Sequence, residues 1–340
     1  MYDTPDGPPT EAATAATEPL IDLGRLLRRF GLPPVHVVSY HHGATGAWRL
    51  TDGRGTYSLK LTAADAPGWA LDALRANYEF EWDAYQAGVA MPEPLRPLDS
   101  PQGLTALIDG HYAVLHRWID NAGRCGEDER IGAWLGSTLA TLHRVAPATP
   151  HADLTNRYGL HPLSEWRQWA LDAEAADLPW AAAATARLPL VAALRPFLNE
   201  AVECWQHTSR LVHGEISRSN VLIAPEGPML CDFDATPDLP WMEAVHVAVS
   251  FGEPDASVLA SYLEAGGAPG PMSVVALASS VGAALNWTAY NMWISLGHRP
   301  VPTWRVDEAT RRVPQLWAHV DNVAGRLEQN ASALFSGFNP

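Results

Sequence analysis

The sequence predicts a two-lobed α+β protein, with a small β-rich lobe over residues 19–118 and a larger, mainly helical lobe over residues 119–340. Three observations predict it. Strand-like runs crowd the first third of the chain, and helical periodicity with Pro-rich breaks dominates after Trp118. Between Leu211 and Asp234 short strand-like runs return. A length of 340 residues at 47% hydrophobic content suits two lobes better than one core. Charged residues make up 18%, which excludes a disordered chain or a long solvated helix.

Each element follows in order. Residues 1–18 are acidic and rich in Pro, Ala and Thr, without a basic start or apolar core, and read as a disordered leader rather than a signal peptide. Residues 20–32 (LIDLGRLLRRFGL) form an amphipathic helix closed by Gly31 and the Pro33-Pro34 pair. The runs VHVVSY, AWRLTDG and GTYSLKLT are strands of a hairpin meander, separated by Gly and Asp-Gly turns. A helix over 71–88 ends at Gly88 and Pro92. Two further strands, TALIDG and YAVLHRW, join at the tight-turn pair Asp109-Gly110. HRWID, residues 116–120, is a hinge candidate between the lobes. IGAWLGSTLATLHRV opens the helical lobe.

Composition narrows the partners. A net charge of −15 argues against nucleic acid and an anionic membrane surface, and is compatible with a cationic ligand. Three scattered cysteines, with no CxxC pair, exclude a disulfide framework and a Cys-based zinc site and point to a reducing, cytoplasmic setting. Residues 265–297 carry no formal charge. They are broken by Gly, Pro, Ser and Asn and lack flanking basic clusters, so a buried helix over 272–296 is expected rather than a membrane span. No protein partner is evident.

The cationic residues are 22 Arg and one Lys, Lys60. A compact ammonium and a forked guanidinium are not interchangeable, so a lysine spared by so strong a bias suggests function. Phosphoryl transfer needs a lysine for phosphates, a carboxylate to orient it, a loop that positions the accepting hydroxyl, and ligands for Mg²⁺. Lys60 ends the strand GTYSLKL. Glu79 or Glu81 on the following helix is placed to pair with it. They sit on different faces, so only one can, and Glu79 is preferred from its distance to the helix end. One strand before Lys60, Gly43 and Gly46 bracket a turn whose N–H groups suit phosphates, and Thr45 adds a hydroxyl. The strongest pattern is His213-Gly214-Glu215 with Asn220 five residues after Glu215 and Asp232 twelve after Asn220, across a turn at residues 224–227. A loop carboxylate followed by Asn and Asp on a hairpin brings an acceptor-orienting group beside two metal ligands.

HGEISRSNVLI, CDFD, LGSTLATLH and the strand lysine together resemble the aminoglycoside phosphotransferase/choline kinase superfamily, small-molecule kinases with a protein-kinase-like fold. The resemblance covers roughly residues 35–300. It implies that Lys60 binds the α- and β-phosphates of ATP or GTP, that Glu79 orients Lys60, and that Asn220 and Asp232 hold Mg²⁺. It also implies that the backbone of Leu115 to Trp118, Arg117 included, meets the adenine. Glu215 then orients the acceptor hydroxyl, and His213 completes the catalytic loop mainly by anchoring it. His143 is expected to serve packing. A protein kinase is disfavoured, because CDFDATPDLPW lacks the D-F-G glycine and no A-P-E segment follows.

Glu215 departs from the family's usual Asp. The extra methylene moves the carboxylate by about 1.5 Å, and a displacement of that size costs about 10²-fold where the backbone does not adjust. The alternative is therefore a nucleotide-binding protein with weak or no transferase activity. The acceptor is expected to be small and cationic, such as an aminoglycoside or another antibiotic. An amino alcohol or a homoserine-like metabolite is the alternative. Candidate acceptor contacts are Trp287, Tyr290 and Asn291 on one helix, Trp166 and Trp169 on another, and the acidic Asp172, Glu174, Asp177, Asp238 and Glu243.

Overall fold

The computed structural model describes residues 19, 21–41, 47–64, 68–100, 103–120, 122–126, 130–299, 301 and 303–336. Among them the chain runs α1 (Leu23–Phe30), β1 (His36–His41), β2 (Ala47–Thr51), β3 (Thr56–Ala63), α2 (Gly68–Gln86), β4 (Pro94–Leu95), β5 (Ala106–Ile108), β6 (His111–Arg117) and β7 (Gly123–Arg124). It continues with α3 (Gly132–Val145), α4 (Leu163–Ala175), α5 (Ala181–Trp205), β8 (Arg210–Val212), β9 (Val221–Ala224), β10 (Gly227–Leu230) and β11 (Thr236–Asp238). The last helices are α6 (Pro240–Ser250), α7 (Ala256–Glu264), α8 (Ala278–Ser295), α9 (Thr303–Gly325) and α10 (Leu327–Phe335). These residues fall into two compact units. The first draws on the described residues within 1–131, 144–146 and 213–236, and the second on those within 132–143, 147–212 and 237–340. The loop carrying Glu215 thus groups with the strands that carry Lys60, although it follows them by more than 150 residues in the chain.

The first unit is built on an antiparallel sheet in the order β1-β2-β3-β6-β4, with β5 pairing the same edge of β6 as β4. The meander β1-β2-β3 matches the turn signals in the sequence. Asp109 and Gly110 both take positive φ, 46° and 78°, the geometry a two-residue hairpin between twisted strands demands. Strand alternation sends Trp48, Leu50, Tyr57 and Leu59 to one face, where Leu26 and Phe30 of α1 cover them with Ala113 and Leu115. Asp22 caps α1 by accepting from Arg25 N–H at 3.0 Å, and Gly31 at φ 65° ends it. The other face of the sheet belongs to α2, whose Tyr78 packs on Val114 of β6 and on Leu104. A separate three-stranded sheet, β10-β9-β7, supports the loop at residues 213–220.

The second unit surrounds a tryptophan-rich core. Trp166, Trp180 and Trp317 are buried with Tyr158 among α4, α5, α8 and α9. The uncharged stretch expected to be a buried helix is α8, in which 14 of 18 residues are buried. It begins later than the expected residue 272, because Val274–Leu277 close a 3₁₀ turn first. One helical stretch among the described residues, 181–208, is long and apolar enough to cross a membrane. Within this unit its Ala184, Val191, Leu198 and Ala201 are buried and its Arg187 pairs with Asp321 at 2.7 Å. All three cysteines are free thiols.

Candidate active site

Lys60 follows Leu59 on β3, so alternation turns it away from the core that Leu59 enters, onto the face shared with α2. Its ammonium donates a hydrogen bond to Asp232 Oδ1. Burial alone lowers a lysine pKa. Here the charge and hydrogen bond of Asp232, reinforced by Glu81, outweigh it and hold Lys60 above its ordinary value. The lysine is therefore charged.

The carboxylate that α2 brings to Lys60 is Glu81, which corrects the preference for Glu79. Glu79 is exposed, on the same stripe as Asp72, Arg75, Asp83 and Gln86, and lines a shallow surface pocket with Arg75 and Ser100. Glu81 is buried, 2.9 Å from His116 Nε2, and its charge reaches Lys60. The spacing of that charged stripe was readable in the sequence and would have assigned Glu79 to solvent.

The loop at 213–220 is fixed by its own hydrogen bonds. His213 is fully buried; its Nδ1 accepts from the Glu215 N–H at 3.3 Å, so its Nε2 carries the proton and donates to the Cys231 carbonyl at 3.2 Å. Both ring nitrogens are thus engaged by the backbone that frames the loop. Gly214 has φ 87°, and a Cβ there would sit 2.2 Å from the Asp234 carbonyl, so no other residue fits. Asn220 is buried and donates through Nδ2 to the Glu215 carbonyl at 2.8 Å, tying its side chain to the residue that follows Gly214. The β9–β10 hairpin closes with Cys231 N–H donating to the Asn220 carbonyl at 2.9 Å, which sets Asp232 beside Asn220.

Asp232 has φ 62°, a left-handed conformation that a short polar residue tolerates and that strain-bearing sites use. Burial, followed by the Asp232 charge, pushes the neighbouring Cys231 thiol up to about 12, which keeps it protonated. A residue that the sequence did not flag clasps this segment. Asn77 of α2 donates to the Phe233 carbonyl at 3.1 Å and accepts from the Ala235 N–H at 2.9 Å. Phe233 packs between His213, tilted against it, and Phe80, edge-on, with ring centroids 4.4 and 5.9 Å away. The helix bearing Glu81 and the strand-end segment bearing Asp232 are thus one packed body.

Among the described residues no group of three His, Cys, Asp or Glu side chains surrounds a metal position. What the hairpin juxtaposes is an amide oxygen and a carboxylate. Such a short set of hard oxygen donors suits Mg²⁺ when phosphate oxygens complete its shell.

Other expectations fare differently. Gly43, Thr45 and Gly46 lie outside the described residues. The Leu115–Trp118 backbone is committed to the sheet. Leu115 lies between Leu59 and Leu95, the Arg117 N–H donates to the Glu93 carbonyl, and the Trp118 N–H to that of Thr56. These N–H groups are spent on strand pairing, and the Arg117 side chain pairs with Glu93. In the second unit, His143 bridges Tyr262 and Glu243 at 3.0 and 2.7 Å, the packing role expected of it. Glu243 and Asp238 are buried and internally paired, Asp238 with Arg157, Tyr158 and Ser279. Trp166 and Trp169 belong to the core. These four residues are not acceptor contacts, whereas Trp287 remains partly exposed.

Comparison with known proteins follows the same line. The structure of spectinomycin phosphotransferase with ADP and spectinomycin is similar at TM-score 0.64 and 12% identity, over 88% of this chain and 97% of that one. A microcompartment-associated aminopropanol kinase is similar at TM-score 0.57 and 14% identity, over 90% and 97%. A choline/ethanolamine kinase family protein from Mesorhizobium loti gives TM-score 0.54 at 16% identity, over 90% and 93%. At these identities the likeness is one of fold, and the fold is the kinase-like α+β one. A search of the curated proteins gives no match. The model of the phosphotransferase enzyme family matches residues 36–276, a span that runs from the first strand of the Lys60 sheet past the loop of Glu215, Asn220 and Asp232, and the chain belongs to that family.

Proposed function

We propose that the chain transfers the γ-phosphoryl group of ATP or GTP to a hydroxyl of a small acceptor. The observation that carries this reading is the meeting of Lys60, from β3, with Asp232, 172 residues later, at the base of the hairpin that begins at Asn220. Three groups that phosphoryl transfer needs, remote in sequence, belong to one packed body.

In this reading Lys60 binds the α- and β-phosphates and Glu81 keeps it oriented. Asn220 and Asp232 would hold Mg²⁺, which supplies charge neutralisation on the phosphates. The acceptor oxygen attacks the γ-phosphorus and the bond to the β-γ bridging oxygen breaks, releasing the nucleoside diphosphate. The Glu215 carboxylate orients the hydroxyl and takes its proton, which then passes to water. Catalysis in such a site is mostly positioning and electrostatics.

The acceptor class stays with the net charge of −15 and the partly exposed Trp287, which suit a cationic hydroxyl compound such as an aminoglycoside or an amino alcohol. The replacement of the usual Asp by Glu215 favours a second reading, nucleotide binding with weak or no transfer. Nucleoside diphosphate release is to be measured across a panel of aminoglycosides, amino alcohols and neutral sugars, for the wild type and Glu215→Asp. Turnover with one acceptor class in the wild type supports the enzyme. No turnover in either protein, with Mg-nucleotide binding retained, leaves the second reading in its place.

A further inference from the structure

Between α2 and β6 lies a buried pair of which the proposed chemistry uses only Glu81 and gives His116 no part. His116 Nε2 is 2.9 Å from Glu81 Oε1, and the two side chains are 11% and 6% exposed. The register explains the encounter. His116 stands opposite Ser58 and two residues from Val114, which stands opposite Lys60, so His116, Val114 and Lys60 share one sheet face. Tyr78 packs on Val114, and Glu81, three residues further along α2, lies on the same side of the helix. Glu81 therefore has two basic neighbours, His116 in contact and Lys60 through its charge. Lys60 itself spends its direct contact on Asp232.

We propose that His116 is a positioning residue for nucleotide binding, seating Glu81 so that it can serve Lys60. This rests on the reading of Lys60 as the phosphate-binding group. Were Asp232 to hold Mg²⁺, Lys60 would need another carboxylate, and Glu81 is the other one whose charge reaches it. A free glutamate side chain loses rotamer entropy when it is fixed, and that loss weakens binding. The bond to His116 fixes Glu81 before the nucleotide arrives. A β6 hydrophobe in place of His116 would leave the buried carboxylate without its hydrogen-bond donor, free to turn away or to take up a proton.

The test uses the full chain, with Mg-ATP and Mg-GTP binding measured by calorimetry and nucleotide KM and kcat by turnover. His116→Leu is expected to weaken nucleotide binding and raise its KM roughly tenfold, with kcat moved less. Because the bond comes from Nε2, His116→Gln, whose amide reaches the same place, restores most of the loss. His116→Asn, which places its amide where Nδ1 lies, does not. His116→Leu added to Glu81→Gln makes nucleotide binding no worse than Glu81→Gln alone, since His116 acts through Glu81. Equal behaviour of the Gln and Asn variants, or losses that multiply in the double variant, overturns the proposal. The Gln and Asn comparison stands even where the Leu variant fails to fold. A wild type that binds neither nucleotide sinks the functional reading and this inference together. Binding that ignores every change at His116 overturns this inference alone.

Discussion

Lys60 is held between a strand, a helix and a hairpin by one ammonium, and no guanidinium has that shape. Arginine is longer and planar and spreads its donors over a fork, so it would displace either Asp232 or the phosphates. Lys60→Arg is expected to lose about 10²-fold in transfer rate and to bind nucleotide more weakly. Its thermal unfolding should stay near wild type, because the side chain lies off the apolar core of the sheet. Turnover, calorimetry and a melting curve on one preparation check all three. An unchanged rate would return the lone lysine to chance. The lysine was legible from composition and strand position. Its carboxylate partner was not, since choosing between Glu79 and Glu81 requires knowing which side of α2 meets the sheet. The stripe of Asp72, Arg75, Glu79 and Asp83 held that information, and distance along the chain did not.

At the scale of elements, the loop and hairpin from His213 to Asp232 were readable because their chemistry is local. Fixed offsets between a carboxylate, an amide and a second carboxylate survive only when a short hairpin returns the chain to its start. Gly214 is the conformational hinge of that arrangement. Gly214→Ala forces a side chain into φ 87° and onto the Asp234 carbonyl. Strain of this kind costs about 1–3 kcal/mol, and the clash adds to it. The expected outcome is a lower melting temperature with activity lost in the material that still folds, read by circular dichroism and the transfer assay. A neutral result would mean that the loop relaxes without moving Glu215. The β6 backbone shows the opposite case. Its sequence reads as a strand running into a hinge, and the short strand β4, two residues long, pairs with it at His116 and Leu115. Two-residue strands carry no periodic signal, so nothing local announces them.

Over the whole molecule, what escaped the sequence is pairing across long separations. Asp238 and Glu243 looked like surface acids for a cationic acceptor, yet Arg157 lies 81 residues from the first and His143 100 residues from the second. In this same buried region burial, and then the Arg157 charge, push His246 down to about 4, against the pull of Asp238 and Glu243. Its ring bonds to Ser280 at 3.1 Å. Burial sends His319 to about 4 as well. An unfolded histidine takes a proton near pH 6.5 and these folded ones only near 4, so unfolding takes up protons in between. The stability that these two neutral histidines contribute is therefore full above about pH 6.5, falls as pH drops toward 4, and is gone below that, by about 3 kcal/mol for each. Urea midpoints at pH 7 and pH 5 should show the fall, and His246→Gln should reduce it. Midpoints that do not move would place the proton uptake elsewhere.

The ammonium that meets Asp232 is also the only side-chain amine in the chain. Amine-directed acylating reagents, which scatter over the lysines of ordinary proteins, have here a single side-chain amine, and it lies where phosphates are proposed to bind. The mass added to the peptide that carries Lys60, followed over time, becomes a direct readout of occupancy. A compound that slows the labelling announces itself as a ligand at Lys60 without any assay of turnover.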